Sequence, residues 1–172
     1  MSLIKIESKT LDSTLSQIEF TNIPGSYKSL YLLLNLRSTG TGAPNRTPLE
    51  AKFNNSSSGY SRSRGYTYDS ANAIGADAST NETVLALGSL NNSSEPSTVF
   101  SAIECWIFDY SSSRNVKSMT SKIACLGNSS QFWVTGYAHM GWNNTSPITS
   151  IQIFGQSGSI SAGSTASLYG LV

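Results

Sequence analysis

The stretch Val99-Phe100-Ser101-Ala102-Ile103-Glu104-Cys105-Trp106-Ile107-Phe108-Asp109-Tyr110 is the longest strand-like run in the chain. Successive side chains of an extended segment point to opposite faces. Ile103, Cys105 and Ile107 therefore share one face, and Trp106, Phe108 and Tyr110 the other. The second, aromatic face requires a cover, whether a second sheet, a loop or a neighbouring subunit.

Outward from this run the same period of two recurs. The segment 29–36 (SLYLLLNL) is apolar on both faces, as expected for a central strand covered on both sides. Ile4 and Ile6 alternate with Lys5 and Glu7, and Ile18 and Phe20 alternate with Gln17 and Glu19. Further strands are expected over 49–53, 83–87, 117–125, 131–142, 148–154 and 165–171. The connections 38–45, 54–65, 91–96 and 143–147 are rich in Gly, Ser and Asn, which mark turns. Residues 70–80 have room for a helical turn, which Gly75 weakens. About nine or ten short strands and no convincing helix make this an all-β chain. The expected architecture is a single β-sandwich domain over residues 1–172, jelly-roll-like.

Composition narrows the function. Charged residues are 12% of the chain and the formal net charge is +1. No concentrated run of Lys and Arg supplies the basic footprint of a nucleic-acid-binding protein. The N-terminus, MSLIKIESKT, lacks the apolar core of a signal peptide. No stretch approaches the roughly 18 apolar residues of a membrane helix. Neither a nucleic-acid partner nor a membrane is expected. Cys105 and Cys125 sit in strand-like segments and are read as buried free thiols, in keeping with synthesis in a reducing cytoplasm.

Reaction chemistry finds little to work with. His139 is the only histidine, placed at strand spacing among aromatics, and is read as a residue on a sheet face. With two cysteines it matches no common zinc spacing. The acids are scattered, and Glu104 and Asp109, five apart on one strand, point to opposite faces. A glycosidase requires two converging carboxylates. No glycine-rich phosphate loop occurs. Asn-x-Ser/Thr triplets such as 54–56 and 143–145 are expected by chance at this composition. The chain is read as no enzyme, with no catalytic residue, metal or cofactor. One segment is suited to recognition: Tyr60-Ser61-Arg62-Ser63-Arg64-Gly65-Tyr66-Thr67-Tyr68. Tyr60, Arg62, Arg64, Tyr66 and Tyr68 are candidates for contact with a partner or a glycan, because Tyr and Arg recur in binding hot spots. The plainer reading is a strand or loop whose tyrosines pack while its arginines stay wet.

The C-terminal third carries a resemblance. Trp142-Asn143-Asn144-Thr145-Ser146-Pro147-Ile148-Thr149-Ser150-Ile151 precedes Gly163-Ser164-Thr165-Ala166-Ser167-Leu168-Tyr169-Gly170-Leu171. This is similar to the ending of a group of bacteriophage virion proteins, notably of marine phages. Ile18-Glu19-Phe20-Thr21-Asn22-Ile23-Pro24-Gly25-Ser26-Tyr27-Lys28-Ser29-Leu30 resembles their opening, and Phe53-Asn54 with Gly59-Tyr60-Ser61 their middle. Leu171 departs from the usual Ile. Ile23 to Tyr27 reads as a tight turn before a buried strand, and Gly170 as a point of close backbone approach.

The resemblance implies a β-sandwich displayed on a particle, either as capsid decoration or in tail fibres and spikes. It transfers no catalytic residue. The leading expectation is a capsid decoration (cement) protein of the virion that binds the major capsid protein or other virion subunits. A homotrimer is expected from the resemblance and from the threefold axes of capsids. The chain begins at Met1 and enters a strand at once, so it is expected to be complete, without a heptad segment or N-terminal adaptor. The alternative is a receptor- or carbohydrate-binding module of a tail fibre or spike. It would use aromatics among Tyr60, Tyr66, Tyr68, Trp133 and Trp142.

Overall fold

The structure is a computed structural model that describes residues 2–41, 46–68, 73–126 and 133–172. The side chains of Tyr68 and Trp133 lie outside the described residues. The described residues form twelve strands: β1 (Leu3–Thr10), β2 (Ile18–Phe20), β3 (Ser29–Leu36), β4 (Arg46–Phe53), β5 (Tyr60–Tyr68), β6 (Ala73–Glu82), β7 (Leu85–Asn91), β8 (Ser101–Phe108), β9 (Lys117–Leu126), β10 (Trp133–Trp142), β11 (Ile151–Gly155) and β12 (Thr165–Leu171). They form an eight-stranded sheet, β1-β12-β3-β8-β9-β10-β5-β6, and a four-stranded sheet, β2-β11-β4-β7. All named pairings are antiparallel. The chain crosses from one sheet to the other at every connection except the hairpins β5–β6, β8–β9 and β9–β10. That wrapping gives a β-sandwich of jelly-roll-like character.

Two of the twelve strands exceed the expected count, and they form one hairpin. β5 falls in a stretch read mainly as a connection, and β6 replaces the helical turn considered for 70–80. Apart from Ile74, their side chains are small, polar, charged or Tyr, with no Leu. Period two is present, but the apolar contrast that usually reveals it is missing.

The core is one layer between the sheets. Leu30, Leu32, Leu34 and Leu36 of β3 and Ile103, Cys105 and Ile107 of β8 face Phe20, Leu49, Phe53, Leu87, Ile151 and Ile153 of the small sheet, all in one buried cluster. Burying each such side chain contributes about 1.5–3 kcal/mol. Cys105 and Cys125 are free and buried, and burial pushes the Cys105 thiol up to about 12.

β3 is central, between β12 and β8, yet it is covered on only one side. Its even-numbered leucines are buried, whereas Leu33 is exposed. Tyr110 also departs from strand parity. Asp109 adopts a left-handed φ of 52°, which ends the alternation and turns Tyr110 into the core. There its hydroxyl donates to the Pro24 carbonyl and accepts from the Tyr27 amide at 3.2 Å. Tyr27 lies on Gly170, where a Cβ would stand 2.2 Å from the ring. The 23–27 turn and the 168–170 ending thus meet in space, which explains the pairing of Tyr27 with glycine.

Buried polar groups fasten the loops. The Arg37 guanidinium donates to the carbonyls of Glu95 (2.6 Å), Pro96 (3.0 Å) and Val99 (3.3 Å). The Asn54 side chain accepts from the amides of Thr149 and Ser150 and donates to the Pro147 carbonyl, so it is fully engaged in the fold. Lys117 is buried, and its ammonium donates to the carbonyls of Ser112 (2.7 Å), Asn115 (2.7 Å) and Thr145 (3.1 Å). Lys117→Met keeps the stem but strands those three acceptors. It is expected to lower stability by about 3 kcal/mol in equilibrium urea unfolding. A change below about 0.5 kcal/mol would show that the loops do not depend on it.

Candidate interaction surface

The recognition segment forms β5, and the structure divides its residues. Tyr60 is 1% exposed, stacked on Trp142 with ring centroids 6.1 Å apart, and its hydroxyl accepts from the Phe53 amide at 2.8 Å. Trp142 is equally buried. Both are core residues, which removes them from the candidate contact set. The reason is register: Tyr60 pairs with Trp142 at the covered end of the β5–β10 ladder.

Arg62, Arg64 and Tyr66 have the same parity as Tyr60 but lie farther along β5. β7, the last strand of the small sheet, packs against β8, β9, β10 and part of β5. β6, the edge strand of the large sheet, answers the arginines with acids. Asp77 accepts from Arg62 Nε at 3.1 Å and from Arg64 Nε at 2.7 Å, and Glu82 lies 3.5 Å from Arg62. Burial alone would raise the Asp77 carboxyl, but hydrogen bonds from Arg64 and Arg62 hold it below its ordinary value. Tyr66 lies flat over Gly75, with Arg64 over its ring at 5.6 Å. The arginines are thus half-buried in ion pairs, so they are not free donors awaiting a ligand. They hold the β5–β6 hairpin.

None of the described residues covers the opposite face of the large sheet, and sequence reading missed most of it. Four cross-strand rows can be followed through the ladder registers. In one row Tyr169, Tyr31, Trp106, Thr120, His139 and Ser63 succeed one another from β12 to β5. The next row runs Ser167, Leu33, Glu104, Lys122, Tyr137 and Gly65. Flanking rows carry Ala102 and Ala124 on one side, Phe108 and Ser118 on the other. Tyr31 packs on Trp106 at 4.6 Å and on Tyr169 at 6.2 Å. His139 meets the Tyr137 ring edge-on at 6.0 Å, on the sheet face expected for it. Tyr137 is 60% exposed, Phe108 40% and Ile74 of β6 85%.

Charge on this face is concentrated in one network. Lys122 lies 3.0 Å from Glu104, and the Tyr31 hydroxyl donates to Glu104 at 2.9 Å. Hydrogen bonds from Lys122 and Tyr31 hold the Glu104 carboxyl below its ordinary value. Burial and the neighbouring carboxylate push the Tyr31 phenol up to about 12, so it remains a donor at any physiological pH. Two shallow hollows flank the network: one of 250 Å³ with Trp106, Tyr137 and His139 in its wall, one of 260 Å³ beside Leu33. Alternation alone places Trp106 and Phe108 on one face. Tyr31, Leu33 and Tyr137 join them only through strand order. Among the described residues, no three His, Cys, Asp or Glu side chains are grouped to hold a metal ion.

Tyr60→Ala is expected to lower stability by about 3–5 kcal/mol, as for other large buried side chains. Tyr137→Ala is expected to change it by less than about 0.5 kcal/mol. Chemical unfolding of both variants checks whether these tyrosines divide between core and surface. Asp77 carries a pH signature. A carboxyl depressed in the fold stabilises it above the unfolded pKa of about 4 and loses that contribution as pH falls through the folded value. Asp77→Asn is therefore expected to cost about 1 kcal/mol at pH 7 and to converge with wild type near pH 2, as read by urea midpoints.

Comparison of the chain with protein-family models, curated proteins and solved structures finds no match.

Proposed function

We propose that the protein is a structural component of a virus particle, a capsid decoration protein that stabilises the head by binding neighbouring capsid subunits. The observation that carries this reading is the bare face of the eight-stranded sheet. A soluble domain rarely leaves a broad, nearly uncharged face with exposed Phe and Tyr unless another protein surface completes it. The polar side chains elsewhere support the same reading, because Arg37, Lys117 and Asn54 are engaged in fixing loops. The resemblance carried by 18–30 and 163–171 supplies the particle. Strength would come from many modest contacts repeated by symmetry.

A second reading is a receptor- or carbohydrate-binding module of a tail fibre or spike. It is favoured by the 250 Å³ hollow, where Trp106, Tyr137 and His139 stand beside Glu104 and Lys122. Aromatic faces with a charged acceptor, Glu104, and a charged donor, Lys122, in one depression are the elements that hold a sugar ring. Its mark would be glycan-array binding that disappears in Tyr137→Ala.

Cryo-electron microscopy of purified particles is the deciding measurement. Density for this domain on the head, at or around symmetry axes, is expected. Density confined to the tail would replace decoration with the second reading. Absence from the particle would overturn both.

A further inference from the structure

We infer that the bare face of the large sheet is covered by a second copy of this chain, related by a twofold axis along the central strands between β8 and β9. This rests on the reading of that face as a subunit contact, but names a second copy of the chain as the occupant in place of a capsid subunit, and it does not depend on which particle the protein joins.

The argument begins with the position of that axis. Four strands lie on one side of it, β1-β12-β3-β8, and four on the other, β9-β10-β5-β6. A twofold in the interface plane therefore lays β8 of one copy over β9 of the next, and β3 over β10, with the whole face engaged. Twisted sheets packed face to face keep their strands within about 30° of one another, which such an axis permits.

Charge agrees with this placement. Glu104 and Lys122 are direct cross-strand neighbours, one on each side of the axis. The rotation sets Glu104 of each copy against the partner's Lys122. Two ion pairs become an alternating quartet in which no like charges meet. Had the face carried two acids or two bases at the centre, self-association would be opposed.

Shape agrees independently. The β3–β8 half is bulky and the β9–β5 half is mostly small. The rotation lays Trp106 over Thr120, and Phe108 over Ser118. Tyr169 comes over Ser63, and Ala102 over Ala124. Leu33 and Tyr137, both exposed in the single chain, cover each other. Bulk meets small side chains at Trp106, Phe108 and Tyr169, while Tyr31 comes over His139 as Leu33 does over Tyr137, ring and side chain packing in the roughly 10 Å between sheets.

The extent is sufficient. Eight strands about 4.8 Å apart and roughly eight residues long present about 900 Å². A stable interface buries about 800 Å² per partner.

Charge reversal tests the proposal on the full chain. Wild type is expected to sediment as a dimer at micromolar concentration in analytical ultracentrifugation. E104K and K122E alone each place like charges in contact and are expected to weaken dimerisation at least tenfold. Mixed in equal amounts, the two variants restore opposite charges at both positions and are expected to form a heterodimer. The E104K/K122E double variant is expected to dimerise with itself. Circular dichroism of each variant separates a lost dimer from a lost fold, and equal spectra are expected. A wild-type monomer at 100 μM would overturn the proposal, as would a dimer indifferent to both reversals. A monomer whose bare face is nonetheless covered by another subunit on the particle would overturn the dimer while leaving the structural reading intact.

Discussion

The layer of Leu, Ile and Phe between the two sheets sets the terms for everything else in this protein. On one side it is formed by β3, β8, β12, the covered ends of β9 and β10 and Tyr60 of β5, on the other by all four strands of the small sheet. Its apolar area is the main source of stability for a chain with no disulfide among its described residues. It also has a geometric consequence. With strands about 4.8 Å apart, a sheet of four can roof only about half the width of a sheet of eight, and only on one face. The overhanging β5–β6 hairpin and the bare outer face both follow from that mismatch.

The two uncovered regions are handled by different chemistry. On the inner side of the overhang, Asp77 and Glu82 neutralise Arg62 and Arg64, so a hairpin with little apolar cover is tied together by charge. At the middle of the outer face the charges are Glu104 and Lys122, with Lys5 at the β1 edge, and aromatics and small side chains between them. A wet face would ordinarily be strewn with Lys and Glu. Low charge there is in keeping with a surface meant to be dry, and it parallels the 12% charge of the whole chain. The virion reading and the self-association inference both start from this face, by separate arguments: the first adds a resemblance in sequence, the second a symmetry in strand order.

Much of the fold was legible along the chain because period two survives wherever a strand lies over the dry core. The alternations at 18–20, 29–36 and 103–107 are of that kind. Where a strand lies beyond the small sheet the signal weakens: β5 reads as a strand or loop that overlaps a connection, and 70–80 as no clear element, with room for a helical turn that Gly75 weakens. Tyr60 illustrates the same limit at the level of one residue. Its neighbours Arg62 and Arg64 made it look like part of a recognition strip, yet it is core because it pairs with Trp142. Tyr110 reads as a partner of Trp106 and Phe108 until the left-handed Asp109 turns it inward.

By itself, then, the sequence determined the all-β class, the principal core strands, the buried free thiols and the placing of Trp106 and Phe108 on the face opposite Ile103, Cys105 and Ile107. These are local properties: side-chain polarity and the alternation that an extended backbone imposes. Only the tertiary structure decided which strands are neighbours, that one sheet is twice as wide as the other, and that Tyr31, Leu33, Lys122 and Tyr137 gather with Trp106 on one surface. Those residues are separated by as many as about a hundred positions and meet through hydrogen bonds between backbones. Backbone pairing reads register and not side-chain identity, so no pattern along the chain announces it.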